Sequence, residues 1–226
     1  MPTFQTIFVP PSLPSGLELD ADLDLSRVRL TWDASAIAQI DFAGFRIYRS
    51  LDNGLTFSLL TVLTLVTDVS YDDFEAPLNL PILYKLTQSN IDFESGPIDG
   101  SASLDSLMWW VVVPNDTTLT FPIAKVRGAQ MTSPKTQDIF SPIGRATRIA
   151  VGDVVHSETG TLTFLAMPDN PGMIGLLKSI QARMDGGIIL KAPDGVTHTV
   201  QYGDMTRSFT SIGGLQEVTI PFTGVS

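Results

Sequence analysis

The chain has 226 residues, of which 43% are hydrophobic and 17% charged, with no cysteine and a formal net charge of −10. That composition excludes a disordered chain, and the missing thiols exclude disulfides, cysteine nucleophiles, iron–sulfur clusters and cysteine zinc sites. A polyanion lacks the clustered Lys and Arg that displace counterions from nucleic acid or anionic lipid, so no direct nucleic-acid binding is expected.

At roughly 100–200 residues per domain, the length fits one large domain or two small ones. The charge favours two. Residues 1–105 carry 15 acids and 5 bases, a net −10, whereas residues 106–226 carry 9 of each and are neutral. The acidic part reads as solvated and the neutral part as packed against something. Met1 to Leu13 holds no Lys or Arg and is broken by Pro2, Pro10 and Pro11, so it does not read as a secretion signal. The longest apolar run, Leu107–Val113, has seven residues, against about 20 for a membrane-spanning helix, and no membrane insertion is expected.

In chain order, Leu19, Ala21, Leu23 and Leu25 alternate with Asp20, Asp22 and Asp24. The aspartates suggest a calcium loop. The EF-hand pattern, however, wants Gly at its sixth position and Glu at its twelfth, where Leu25 and Thr31 stand. The better reading is a strand with a buried leucine face and a wet aspartate face. Val28, Leu30 and Trp32 then alternate with Arg27, Arg29 and Thr31. Phe45 and Ile47 oppose Arg46 and Tyr48, and Ile82, Tyr84 and Leu86 oppose Leu83, Lys85 and Thr87. Such short period-two strands with turn clusters between them, as at Asp52-Asn53-Gly54, predict a sandwich or barrel.

These residues resemble a fibronectin type III domain over about 12–105. Val28-Arg-Leu-Thr-Trp32 matches its second strand, and Gly44-Phe-Arg-Ile-Tyr-Arg-Ser50 with Asp52-Asn53-Gly54 its third strand and turn. Tyr71-Asp-Asp73 matches the segment before the sixth strand, and Tyr84-Lys-Leu-Thr-Gln-Ser-Asn90 with Glu94-Ser-Gly96 the sixth strand and the turn after it. The long segment Val62–Asp68 departs from the pattern. The resemblance implies that Trp32 sits in the core and that Tyr84 is the corner tyrosine, its hydroxyl bonded back to the backbone.

Ser- and Ala-rich residues near Ser101–Leu107 suggest a short linker. Met108-Trp-Trp-Val-Val-Val113 is apolar on both faces, as a strand buried on both sides would be. Period-two alternation returns at Leu119–Ile123, Leu162–Phe164, Val196–Tyr202 and Val218–Phe222. One helix is predicted near 171–185, started by Pro171 after Asp169 or Asn170, carrying Met173, Leu177, Ile180 and Met184 on one face, and ended by Gly186-Gly187.

The second half resembles the minor and distal tail proteins of long-tailed bacteriophages over about 108–224. The residues that carry this are Trp109-Trp110, Pro142-Ile-Gly-Arg145, Ile149–Val151, Glu158-Thr-Gly-Thr-Leu-Thr-Phe164 and Gly187-Ile-Ile-Leu190. The resemblance implies a split β-barrel with one helix that oligomerises into rings. The expected fold is therefore mainly β: an immunoglobulin-like fibronectin type III sandwich over 1–105, with an extension at 1–12, then a split β-barrel-like domain over 106–226. The implied role is a structural tail or tail-tip protein, assembled in the host cytoplasm and located in the virion. Its implied partners are itself, in a threefold or sixfold ring, and other tail proteins.

Chemistry is sparse. His156 and His198 lie 42 residues apart and form no His-x-x-x-His pair. Asp72-Asp73 is the most suggestive acid pair, but neighbouring strand residues point to opposite faces, and a turn after Tyr71 explains it better. There is no Gly-x-Ser-x-Gly and no phosphate-cradling Gly-x-x-x-x-Gly-Lys. No cofactor, metal or enzymatic activity is expected, a wall-degrading hydrolase being the least favoured reading. Candidate interface residues are Trp109 and Trp110, because Trp is enriched in hot spots, together with Phe140, Arg145 and Arg148. Those three sit in Arg127–Arg148, read as a long loop that either reaches a neighbouring subunit or is a mobile surface excursion, since long loops are usually functional or disordered. The rival reading is a host-surface binding module for a polysaccharide or protein, with Phe42, Phe57 and Phe93 as tips.

Overall fold

A computed structural model describes residues 11–123, 125–132, 135–140, 149–155, 159–166, 171–182, 187–209 and 216–224. The chain divides into two units, 1–106 and 107–226, one residue from the boundary read from charge and composition.

The first unit is a two-sheet antiparallel sandwich. One sheet has the order β1-β2-β5, from β1 (Glu18–Asp22), β2 (Arg27–Thr31) and β5 (Ser70–Asp73). The other has the order β4-β3-β6-β7, from β4 (Ser58–Leu63), β3 (Phe42–Ser50), β6 (Ile82–Asn90) and β7 (Ile98–Ala102). Seven strands divided three and four in this order make the fibronectin type III variant of the immunoglobulin-like sandwich. The period-two pattern dictates the core. Val28, Leu30, Phe45, Ile47, Ile82, Tyr84 and Leu86 are fully buried. Trp32, just past β2, is 4% exposed and meets Phe45 edge-on, with ring centroids 5.5 Å apart.

The Asp20–Asp24 segment departs from its expectation. β1 stops at Asp22, Leu23 is 36% exposed and Ala21 is exposed as well. A turn intervenes because Asp22 accepts hydrogen bonds from the Leu25 amide and from Arg27 Nε, while Ser26 takes φ +48°. The leucine face therefore ends after Leu19.

The second unit is built on one eight-stranded antiparallel sheet. Its strands are β8 (Trp109–Val112), β9 (Phe121–Ile123), β10 (Val126–Thr132), β13 (Thr159–Ala166), β14 (Ile188–Lys191), β15 (Thr197–Tyr202), β16 (Thr206–Phe209) and β17 (Gln216–Gly224). The order is β10-β13-β17-β15-β14-β8-β9, with β16 also on β17. One core joins Val111, Phe121, Leu162, Phe164, Leu190, Val200, Val218 and Phe222 to Leu177 and Ile180 of helix α1 (Pro171–Gln181). The helix thus lays its apolar face on the sheet, as the spacing of Met173, Leu177 and Ile180 predicts. Asp169, Asn170, Met184 and Gly186 lie outside the described residues.

The described residues of the segment Arg127–Arg148, expected as a loop, are strand. β10 runs through Thr132 in the main sheet, and β11 (Lys135–Phe140) pairs with β12 (Ile149–Val155) in a separate two-stranded sheet. The Gly, Gln and Thr residues of this stretch hide any period-two signal. Long-range pairing with β13 and β12 supplies the order instead.

Candidate functional site

Three places in the molecule gather side chains of functional interest, and the first is buried. β5 places Asp72 and Asp73 on opposite faces. Asp72 takes Arg27 Nη1 at 2.8 Å and Arg29 Nε at 3.7 Å on the outer face. Asp73, with a side chain 2% exposed, accepts Arg49 Nη1 at 2.9 Å and the Tyr84 hydroxyl at 2.7 Å. It also accepts the Glu75 amide. The pair therefore has no facing geometry, and it lies on a strand rather than in the turn expected after Tyr71. Tyr84 is core, as the resemblance implies, but its hydroxyl bonds the Asp73 carboxylate and not the backbone. Burial first, then the Asp73 charge, pushes the Tyr84 phenol far above its ordinary range. Both Asp73 carboxylate oxygens accept hydrogen bonds, from Arg49, Tyr84 and the Glu75 amide, which suits a structural brace.

The second place is the end of the sandwich where β3 begins and β6 ends. Ile40 is 85% and Ile91 75% exposed. Ile37, Asp41, Asn90, Ile91 and Asp92 line a shallow hollow of about 280 Å³. Asn90 Oδ1 holds the turn by accepting the amides of Asp92 and Phe93. Beside it, Glu94 accepts Arg46 Nη1 at 2.7 Å and the Tyr48 hydroxyl at 2.9 Å. The expected aromatic tips fare differently. Phe42 is 7% exposed and packs on Phe45, Phe57 is half-buried under the Lys85 ammonium at 3.8 Å from its ring centre, and Phe93 remains 37% exposed. The exposed apolar tips are isoleucines, which a search for aromatics passes over.

The third place is the second unit. Trp109 packs half-buried on the main core, while Trp110 points to the other face of β8 and is 3% exposed. A neighbouring subunit could touch little more than a rim of Trp110. Phe140 ends β11, opposite Ile149. Arg145 and Arg148 lie outside the described residues, as does His156. His198 is half-buried on β15, opposite Leu190. Lys191 is fully buried at the end of β14, a feature that no pattern around Gly187–Lys191 signals. Among the described residues, no three His, Asp or Glu side chains converge as metal ligands, and no helix is long and apolar enough to cross a membrane.

No protein-family model matches the chain, and no curated protein matches it. Among solved structures it is similar to a Fn3-like protein from Clostridium thermocellum, at 18% identity and TM-score 0.35 over 43% of this chain and 96% of that one. It is also similar to a chain of the virion of a native gene transfer agent particle, at 9% identity and TM-score 0.38 over 52% and 91%. A third likeness is to the FN1–FN3 domains of chicken CNTN1, at 10% identity and TM-score 0.38 over 90% and 73%. With all three TM-scores below 0.5, the fold stands on strand order and register.

Proposed function

We propose that this protein is a structural component of a bacteriophage-type tail, a minor or distal tail protein. Its second unit assembles into a ring, and its fibronectin type III unit is displayed outward. The observation that carries the reading is the build of the second unit. A single antiparallel sheet with one helix on its core continues from its edge pair β10/β13 into a separate hairpin, β11/β12. A hairpin that pairs with nothing else among the described strands is available to reach a neighbour, as a cyclic ring with one repeated interface requires. The charge split supports this, because the neutral unit can pack against copies of itself while the −10 unit stays solvated. Partners are then further copies and other tail proteins. The test is solution mass across a concentration series, with electron microscopy of the particles.

A second reading has its own observation. Ile40 and Ile91, with Asp41 and Asp92 around the hollow, form an exposed apolar tip with an acidic rim. Such a tip suits contact with a host-surface protein or glycan. Lysine substitution at Ile40 and Ile91 would abolish host-cell binding on this reading and leave assembly unchanged.

A further inference from the structure

Among the described residues, strand β4 ends its sheet and pairs only with β3, through Phe45↔Leu63 to Arg49↔Ser58. Its outer row of amides and carbonyls has no partner strand among the described residues. The residues from Asn53 to Thr67 include no charged side chain, in a half that carries 20 charges. Leu55 is 84% exposed, Leu59 52%, Val62 41% and Leu65 52%. Natural edge strands are commonly blunted by lysine, proline or a bulge. This one has neither lysine nor proline, and its single bulge falls at Leu60, between the pairs Ile47↔Thr61 and Tyr48↔Leu59.

We propose that β4 is a docking edge for β4 of a second copy, paired antiparallel across a twofold axis. Open backbone groups call for an extended strand. The exposed leucines and valine call for one that is apolar and uncharged, and β4 itself is such a strand. Charge argues for self-pairing too. A unit at −10 repels a second copy over most of its surface, and only an uncharged strip lets the two approach. An antiparallel pair about a twofold places each strand against its own image, so the contact closes at two copies. Six residues span about 20 Å of edge, smaller than a standard interface, so the pairing belongs to the weak, transient class. It is independent of ring formation: whatever the base species, monomer or ring, β4 pairing couples two of them.

The test uses the full chain. Mass is followed from low to high concentration for the wild type, Leu59→Lys, Leu59→Asp and the control Leu23→Lys at an exposed position beyond β1 of the other sheet, with thermal unfolding as a check that Leu59, an exposed position, tolerates the change. Hydrogen exchange of the 58–63 amides is measured at both ends of the series. The expected result is a doubling of the base species in the wild type and in Leu23→Lys, with slower exchange of 58–63 at high concentration. Both Leu59 variants would weaken the doubling at least tenfold, because a charge of either sign then lies opposite the apolar Val62 of the second copy, twice across the axis, with no partner. Absence of doubling, doubling that survives in both Leu59 variants, or exchange of 58–63 that ignores concentration would overturn the proposal. A wild type that stays at its base species but captures an apolar strand from another protein would overturn the second-copy assignment as well.

Discussion

The Tyr84 hydroxyl donates a 2.7 Å hydrogen bond to Asp73, the same carboxylate that holds Arg49 at 2.9 Å, so one buried acid ties β5 of the first sheet to β3 and β6 of the second. Removing a partner from such a cluster leaves a desolvated charge behind. Asp73→Ala strands the Arg49 guanidinium and is expected to destabilise the first unit by about 3–5 kcal/mol. Tyr84→Phe leaves the ion pair intact and costs about 1.5–3 kcal/mol, as for a hydrogen bond to a charged group. In denaturant melts the double variant should cost less than the sum of the two singles, because one loss already breaks the network.

All four tyrosines are held protonated beyond their ordinary range, each with burial as the leading cause. Tyr71 is pushed up to about 12, helped after burial by the charges of Asp73 and Glu75. The Tyr202 hydroxyl is enclosed without a hydrogen-bond partner among the described residues. A phenol whose folded pKa lies above its unfolded value stabilises the fold fully below about pH 10, and that stability is lost as pH rises past it. Tyrosinate absorbance should therefore stay low through the ordinary phenol range and then rise together with unfolding. A phenol titrating normally in the folded chain contradicts this.

On the acid side, Asp52 is lowered to about 2 by hydrogen bonds from the Thr56 side chain and amide and from Ser50, which close the turn after β3. A depressed carboxylate stabilises above its unfolded pKa, near 4, and that contribution is lost as pH falls through about 2. Glu94 acts in the same direction. Burial pushes it up, but hydrogen bonds from Thr87 and Tyr48 and the charge of Arg46 outweigh that and lower it. Asp52→Asn should flatten the acid limb of the melting-temperature profile between about pH 4 and pH 2, while the limb above pH 7 is unmoved.

In the second unit, Gly160 sits where a Cβ would stand 2.4 Å from the Gln130 carbonyl oxygen and 2.5 Å from the Phe222 ring. The first of these is backbone, so the β10/β13 pair must shift to admit even a methyl. Gly160→Ala is expected to cost about 1–3 kcal/mol by overpacking and to loosen the strands that lead into the β11/β12 hairpin. Leu177→Ala, which opens a cavity under α1, should cost about 2–5 kcal/mol and serves as a comparison that leaves the edge pair alone.

What the sequence made legible follows its periodicity. Val28-Leu30-Trp32 and Ile82-Tyr84-Leu86 repeat cleanly at two, and Met173-Leu177-Ile180 at helical spacing, so these elements and their buried faces could be read directly. β10 and β11 could not, because Gly128, Gln130 and Thr136 carry no apolar alternation and the strands owe their order to partners far along the chain. The ion cluster was hidden for a related reason. Arg49, Asp73 and Tyr84 are separated by 24 and 11 residues, and only the stacking of two sheets brings them together. Of the proposed interface residues, Trp109 and Trp110 could be placed on opposite faces from strand geometry alone, whereas Arg145 and Arg148 lie outside the described residues.

The central claim is ring assembly through the second unit, and solution mass of the full chain across a concentration series, with the particles imaged by electron microscopy, tests it most directly. Closed rings of three or six copies, lost when the hairpin strand Lys135–Phe140 is deleted but retained in the Asp52→Asn variant, are the predicted result. A chain that remains monomeric at every concentration, alone and when mixed with tails lacking it, would contradict the account.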